Sequence, residues 1–213
     1  MRKPVSSITI FFFIFIVFTV FFSHVLFAHP VIWKGGSVIS SKISSSFKDI
    51  KSHYSISNKW AVGIHGIQFE SGNKYLMIQN NNLLNRWNSR ESQGNLYLFT
   101  GVGLKTSKTN GNLIHIGVQG DWETQNIYTQ LNINGYLKET PLLFVSGRIG
   151  VAPYVGNYDD LHTWLILQID QRSSRSHSVS TAMPVIRLFK DNYLFEFGGD
   201  LKENYLVTSM FHF

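Results

Sequence analysis

The sequence predicts an all-β protein, a closed antiparallel transmembrane β-barrel of 10 to 12 strands. Three observations carry that prediction. From Ile50 onward, apolar and polar residues alternate in stretches of about 8 to 12, the period of a strand with one greasy face. Short clusters of Asn, Gly, Ser, Lys and Glu separate the stretches, and none of them carries a helical stripe. The polar set in each alternation is built of Gly, Tyr, Asn, Gln and sparse charges, which suits a crowded, hydrated lumen. A soluble barrel would instead show water a highly charged outer face.

Residues 1–28 read as a signal peptide. Arg2 and Lys3 form a positive start, Ile8 to Phe22 is apolar apart from Thr9 and Thr19, and Leu26-Phe27-Ala28 offers a small residue for cleavage. The alternative is an uncleaved anchor, because the run extended to Ala28 approaches the roughly 18 apolar residues that span a bilayer. Residues 29–213 then form a single β-barrel domain. Removing Arg2 and Lys3 lowers the formal charge from +6 to +4, and no run of Lys or Arg offers a nucleic-acid footprint. With no cysteine there is no disulfide, thiol catalysis or lipidated Cys, so a large core or a membrane must hold the domain.

The alternation predicts strands at 36–44, 50–57, 60–70, 74–85, 95–106, 113–123, 126–138, 142–153, 160–171, 178–189, 193–201 and 205–213. Twelve suits a closed antiparallel barrel with both ends on one side; ten follows if the Ser-rich segment 37–46 is loop. Turn chemistry punctuates the list at 57–59, 71–73, 110–112, 191–192 and 203–204, and the gaps leave no room for a plug domain. Pro184 removes a ladder donor from a predicted inner strand, so a bulge is expected there.

The strand faces sort cleanly. Leu96, Leu98, Val102 and Leu104 oppose Tyr97, Phe99, Gly101, Gly103 and Lys105; Ile114, Ile116, Val118 and Trp122 oppose His115, Gly117, Gln119 and Asp121. Strands near the 9 to 11 residues that cross a bilayer favour apolar residues facing out into lipid (about 9–11). Trp60, Trp87, Trp122 and Trp164 lie near predicted strand ends, as an aromatic girdle requires; ordinary core packing is the alternative.

The last nine residues carry a more particular signal. Stepping back by twos from the end gives Phe213, Phe211, Ser209, Val207 and Tyr205, one apolar face interrupted by Ser209. This strand resembles the closing strand of bacterial outer-membrane β-barrel proteins, which end in Phe with aromatic or apolar residues at alternate positions. The resemblance attaches no named family. It implies export to the cell outer membrane of a Gram-negative bacterium, with outer-membrane lipid and lipopolysaccharide around the barrel. It also implies insertion by the barrel-assembly machinery, with Phe213, Phe211, Val207 and Tyr205 as the assembly signal.

A two-residue turn at Asp191-Asn192 sets Arg187 opposite Glu196, both on the polar face. A three-residue loop at 203–205 would set Glu196 opposite His212, so a lumen network of Arg187, Glu196 and His212 is expected. Arg148, Asp121 and Asp170 join it, with Lys105 and Lys138 as further candidates. Both signs are represented, which favours internal salt bridges over the single-sign ring of an ion-selective filter. The expected function is therefore a small pore or structural barrel with a charge-balanced lumen, using no metal or other cofactor.

Two other classes stay open. Asp159, Asp160 and His162 could form the rim site of an outer-membrane hydrolase, although the Ser- and His-bearing run 173–178 reads as a solvated turn. A periplasmic ligand- or metal-binding barrel is the other, since cleavage after Ala28 would give His29 both an amine and an imidazole.

Overall fold

The structure, a computed structural model, describes residues 29–106, 111–157 and 159–213. The expected signal peptide and residue 110 of an expected turn lie outside the described residues. Twelve strands form in chain order: β1 (Ser37–Ser44), β2 (Phe47–Ser57), β3 (Trp60–Phe69), β4 (Lys74–Asn88), β5 (Ser92–Lys105) and β6 (Asn112–Thr124), then β7 (Ile127–Leu137), β8 (Leu142–Val151), β9 (His162–Ser174), β10 (Ser178–Lys190), β11 (Tyr193–Gly199) and β12 (Tyr205–His212). Every strand pairs antiparallel with its neighbours, and β1 pairs with β12 to close the barrel. Closure satisfies the backbone groups that an open sheet would expose to lipid.

The Ser-rich segment 37–46 supplies the closing partner. Its alternation is weak in Leu and Ile, yet Ile39 and Ile43 still face outward opposite Phe211 and Val207. β4, β5 and β9 run about three residues past their apolar alternation, because the ladder continues where Asn85 to Asn88 and the rim polar residues have left the apolar belt.

Outward faces settle which side meets lipid. Ile50, Ile78, Val102, Leu104, Ile149 and Ile169 are all more than half exposed, while Tyr97, Met77, Leu113, Gln168 and His65 on the inner face are almost fully buried. A contiguous apolar belt of that extent belongs in a bilayer. Trp60, Trp87 and Trp122 rim it at the end that carries Ser37 and His212, here the terminal rim; the opposite end is the distal rim. Trp60 gives its indole N–H to Asn80 there. Trp164 departs from the expected girdle. It stands opposite Arg187 on the inner face and tilts against Tyr128 at 6.0 Å, because its position in the β9 alternation is odd with respect to Leu165 and Leu167.

Pro184 sits in unbroken register opposite Leu167, with no bulge. β11 is short, and its ladder with β10 begins at Val185 opposite Gly198. The donor that proline lacks therefore has no ladder partner on that side. Irregularities occur instead between Ser55 and Ser57 and between Leu83 and Asn85.

Small residues make room for the filled interior. A Cβ on Gly63 would lie 1.9 Å from the Ser52 carbonyl oxygen and 2.6 Å from His53 Cδ2. Gly63→Ala is therefore expected to cost about 3 kcal/mol, read as a lower urea midpoint of the folded, heat-modifiable band on a gel; an unchanged midpoint would show that the β2–β3 approach is not tight.

Candidate functional site

The interior divides into a packed half and an open half. Along β3 to β5 the wall is covered from end to end. Near the distal rim Ile67, Phe69, Tyr75, Met77, Leu113 and Tyr136 pack together, with Phe69 and Tyr136 edge to face at 5.3 Å. Near the terminal rim Ala61, Leu83, Tyr97 and Phe99 pack around Val31.

Val31 belongs to a segment that the sequence reading did not place. Residues 29–36 enter the lumen before β1 begins, with Val31 1% and Ile32 7% exposed. Ser55 Oγ accepts from the Ile32 N–H at 3.2 Å, Asn81 Nδ2 donates to the Pro30 carbonyl at 3.3 Å, and His29 Nε2 meets Gln93 Oε1 at 3.1 Å. The apolar triplet Val31-Ile32-Trp33 just ahead of the first strand was the available signal. A hydrogen-bonded chain continues from this segment: Gln79 Nε2 donates to Asn81 Oδ1 at 2.7 Å, Gln79 Oε1 meets His65 Nδ1 at 2.7 Å, and His65 Nε2 lies 3.5 Å from Asp49. Gln79 thus bridges Asn81 on its own strand and His65 on the next, while His53 Nε2 on β2 is left without a partner.

The more open side runs along β6 to β12 and β1, where a third apolar cluster, Tyr128, Ile166, Met183, Val185 and Leu206, packs on the wall. A cavity of about 900 Å³ is lined at the distal rim by Ser45, Glu70 and Arg172, and at the terminal rim by Asn88, Gln125 and Gly156. The cavity therefore has lining residues at both ends of the barrel. Its described lining carries six Lys or Arg and six Asp or Glu, so neither sign dominates.

A salt-bridge strut crosses it. Arg148 on β8 holds Glu196 on β11 through both terminal nitrogens, at 2.9 and 3.3 Å. Arg187 on β10 donates to the same carboxylate at 2.8 Å, gives a second bond to Tyr128 Oη at 3.1 Å, and lies 4.2 Å over the Tyr128 ring. The planar guanidinium forks suit one carboxylate approached from two sides.

No protein-family model matches the sequence, and no curated protein does. Among solved structures, the KdgM porin in complex with disordered oligogalacturonate aligns at a TM-score of 0.52 and 10% identity, over 84% of this chain and 98% of that one. The chain has the fold of a porin. A further KdgM porin structure aligns at a TM-score of 0.49 and 10% identity, over 84% of this chain and 99% of the other. At this identity the likeness is one of fold: a closed twelve-stranded antiparallel barrel of the outer-membrane type.

Within that porin fold, the expected network is partly assembled. Arg187 stands opposite Glu196 in the register the two-residue turn requires, and Asp191 takes the left-handed φ of 50° that closes it. His212 is not part of the cluster. Glu196 pairs with Thr208, and His212 lies at the terminal rim opposite Val38. The loop before β12 is Asp200 to Asn204, two residues longer than expected, because the Asp200 carboxylate accepts from the Lys202 N–H, the Asn204 N–H and the Asn204 side chain. Those bonds, the Asn204 side-chain amide first, hold the Asp200 carboxyl below the usual carboxylate range. Both loop lengths are odd, so the faces are unchanged while the partner moves four residues along β12.

Asp121 accepts from Asn95 at 2.7 Å and Gln119 at 3.0 Å, within an amide ladder on the β5–β7 wall. Asp170 accepts from Gln168. Lys105 approaches Glu139 at 3.9 Å, and Lys138 lies 5.1 Å over the Phe69 ring. Tyr205, Val207 and Phe213 face outward, and Phe211 packs on the outer surface against Tyr193 and Phe195.

At the alternative rim site, the Asp160 carboxylate accepts from the Asn157 N–H at 2.7 Å and so closes its own loop. His162 opens β9 beside the Phe189 ring. Among the described residues no group of three or more His, Cys, Asp or Glu is placed to hold a metal ion.

Proposed function

We propose that the protein is an outer-membrane channel for small hydrophilic solutes, exported by removal of residues 1–28. The observation that carries this is the single cavity of about 900 Å³ lined by residues of both rims. The apolar belt and its Trp60, Trp87 and Trp122 rim suit a bilayer, with lipopolysaccharide on the outer leaflet. The assembly machinery would read Phe213, Phe211, Val207 and Tyr205 at the closing strand. A pore is favoured over a filled structural barrel because the packed clusters centred on β3 to β5, and the smaller one of Tyr128, Ile166, Met183, Val185 and Leu206 on β7, β9, β10 and β12, leave between them an open space of mixed polar and apolar lining.

The KdgM porin structure was determined with oligogalacturonate, a polyanion. The lining of this chain, with as many carboxylates as cations, gives a polyanion no uniform field to follow. Small solutes without a strong net charge fit it better. In planar bilayers the purified protein is expected to give small discrete conductance steps with little preference between potassium and chloride. A bilayer that stays closed with folded protein inserted would overturn the channel reading and favour a filled barrel. Strong selectivity for either ion would overturn the charge-balance argument alone.

A further inference from the structure

Just distal to the strut, the passage holds polar groups that the fold leaves unsatisfied. On one wall β8 and β9 set Ser146 opposite Asp170 and Arg148 opposite Gln168. Gln168, 1% exposed, spends its amide N–H on Asp170 Oδ2, which leaves Gln168 Oε1 and Asp170 Oδ1 buried without a partner; Ser146 Oγ is left likewise. On the facing wall β12 and β1 set Thr208 opposite Lys42. Thr208 Oγ1 is also buried and unpartnered, and Lys42, whose ammonium lies 5.2 Å over the Phe47 ring, makes no ion pair among the described residues. All five side chains line the cavity.

Buried polar atoms in folded proteins are nearly always bonded, so a set of orphans around one open space marks where something polar is received. The chemistry of the two walls is different. One offers two acceptor oxygens, one of them anionic, which together call for a group with several donors. The other offers an ammonium and a hydroxyl, which call for an acceptor. Arg148 lies at the edge of this site, opposite Gln168, with one N–H of each terminal nitrogen given to Glu196.

We propose that this is a binding site for a small zwitterion of the α-amino acid class. Its ammonium group donates to Asp170 Oδ1 and Gln168 Oε1, and its carboxylate accepts from Lys42 Nζ and the Thr208 hydroxyl. An ammonium has three donors, which matches the paired acceptors better than a hydroxyl does. A simple cation meets Lys42 across the passage, and a simple anion meets Asp170, so only a molecule carrying both charges satisfies both walls.

The proposal deepens the channel reading and rests on it for access. Its test is equilibrium dialysis of the detergent-refolded protein with labelled L-alanine, beside N-acetyl-L-alanine, L-alaninamide and glucose. Saturable binding of L-alanine is expected, with each of the other three weaker by about tenfold or more. Asp170→Asn and Lys42→Met are each expected to weaken L-alanine binding by about tenfold while keeping the heat-modifiable gel band. Two variants on opposite walls keep the test decisive if one of them fails to fold. Absence of saturable L-alanine binding, equal binding of glucose or of L-alaninamide, or full binding by folded Asp170→Asn or Lys42→Met would each overturn the site. Liposome swelling separates the two readings: swelling in L-alanine without saturable binding overturns the site and leaves the channel, whereas saturable binding without swelling upholds the site and overturns the channel.

Discussion

Glu196→Ala is expected to destabilise the folded barrel by about 3 kcal/mol, read as a lower urea midpoint in detergent micelles. The glutamate side chain is 3% exposed, and its two partners Arg148 and Arg187 are 8% and 13% exposed. Removing the carboxylate strands two guanidiniums side by side on neighbouring parts of one wall, with Tyr128 left to satisfy only part of Arg187. The loss comes less from the missing attraction than from charges left uncompensated where little water reaches them. The low end of the range for broken buried pairs applies, because the passage admits some water to the strut. Conductance changes in the same variant. The narrow part of the lumen goes from one net positive charge to two, so chloride is expected to be favoured over potassium. A replacement of Arg148 and Glu196 together by Met and Leu removes both charges of that pair and is expected to recover only part of the stability, because Arg187 is still left to Tyr128 alone. If Glu196→Ala leaves both midpoint and selectivity unchanged, the strut neither braces nor narrows the passage.

A chain beginning at Gly35 is expected to conduct more than the full domain and to be less stable by about 3 kcal/mol, the scale for uncovering two buried aliphatic side chains. Val31 and Ile32 fill the lumen against Ala61, Leu83, Tyr97 and Phe99, and the Pro30 carbonyl accepts from Asn81. Without residues 29–34 those inner groups face water, and the passage widens at the terminal rim, where His29 and Pro30 line it. The backbone bonds of Gly35 and Gly36 to Ser55 remain, so the start of β1 keeps its place. Detergent refolding followed by single-channel recording and urea titration checks both parts. Unchanged conductance would mean that the segment lies clear of the conducting path; unchanged stability would mean that its apolar contacts are weak.

The strands from β3 on were legible because a strand betrays itself locally: period two, bounded by turn residues, needs no knowledge of the partner strand, whereas the weak alternation of the Ser-rich segment left the count open between ten and twelve. The inner and outer faces were legible for the same reason. The Arg187–Glu196 pair followed from a turn whose length left one register possible, and Asp191 and Asn192 supplied it. The register of β12 was not legible. An odd loop of three or five residues keeps every side chain on its face, and the choice lay in side-chain bonds from Asp200 that the spacing of residues does not reveal.

Read as a one-dimensional pattern, the chain specifies a closed barrel, an apolar belt and a lumen of both charges, because burial in lipid and backbone pairing act on every residue alike. Which lumen groups meet is a matter of three dimensions. Arg148 reaches Glu196 across two intervening strands, Trp164 turns inward to Tyr128, and Val31 finds its cavity beside Phe99. Ser146, Gln168 and Asp170 face Lys42 and Thr208 only once β1 has paired with β12. Contacts across a lumen depend on the curvature and shear of the closed sheet, and neither quantity is written in the alternation of any single strand.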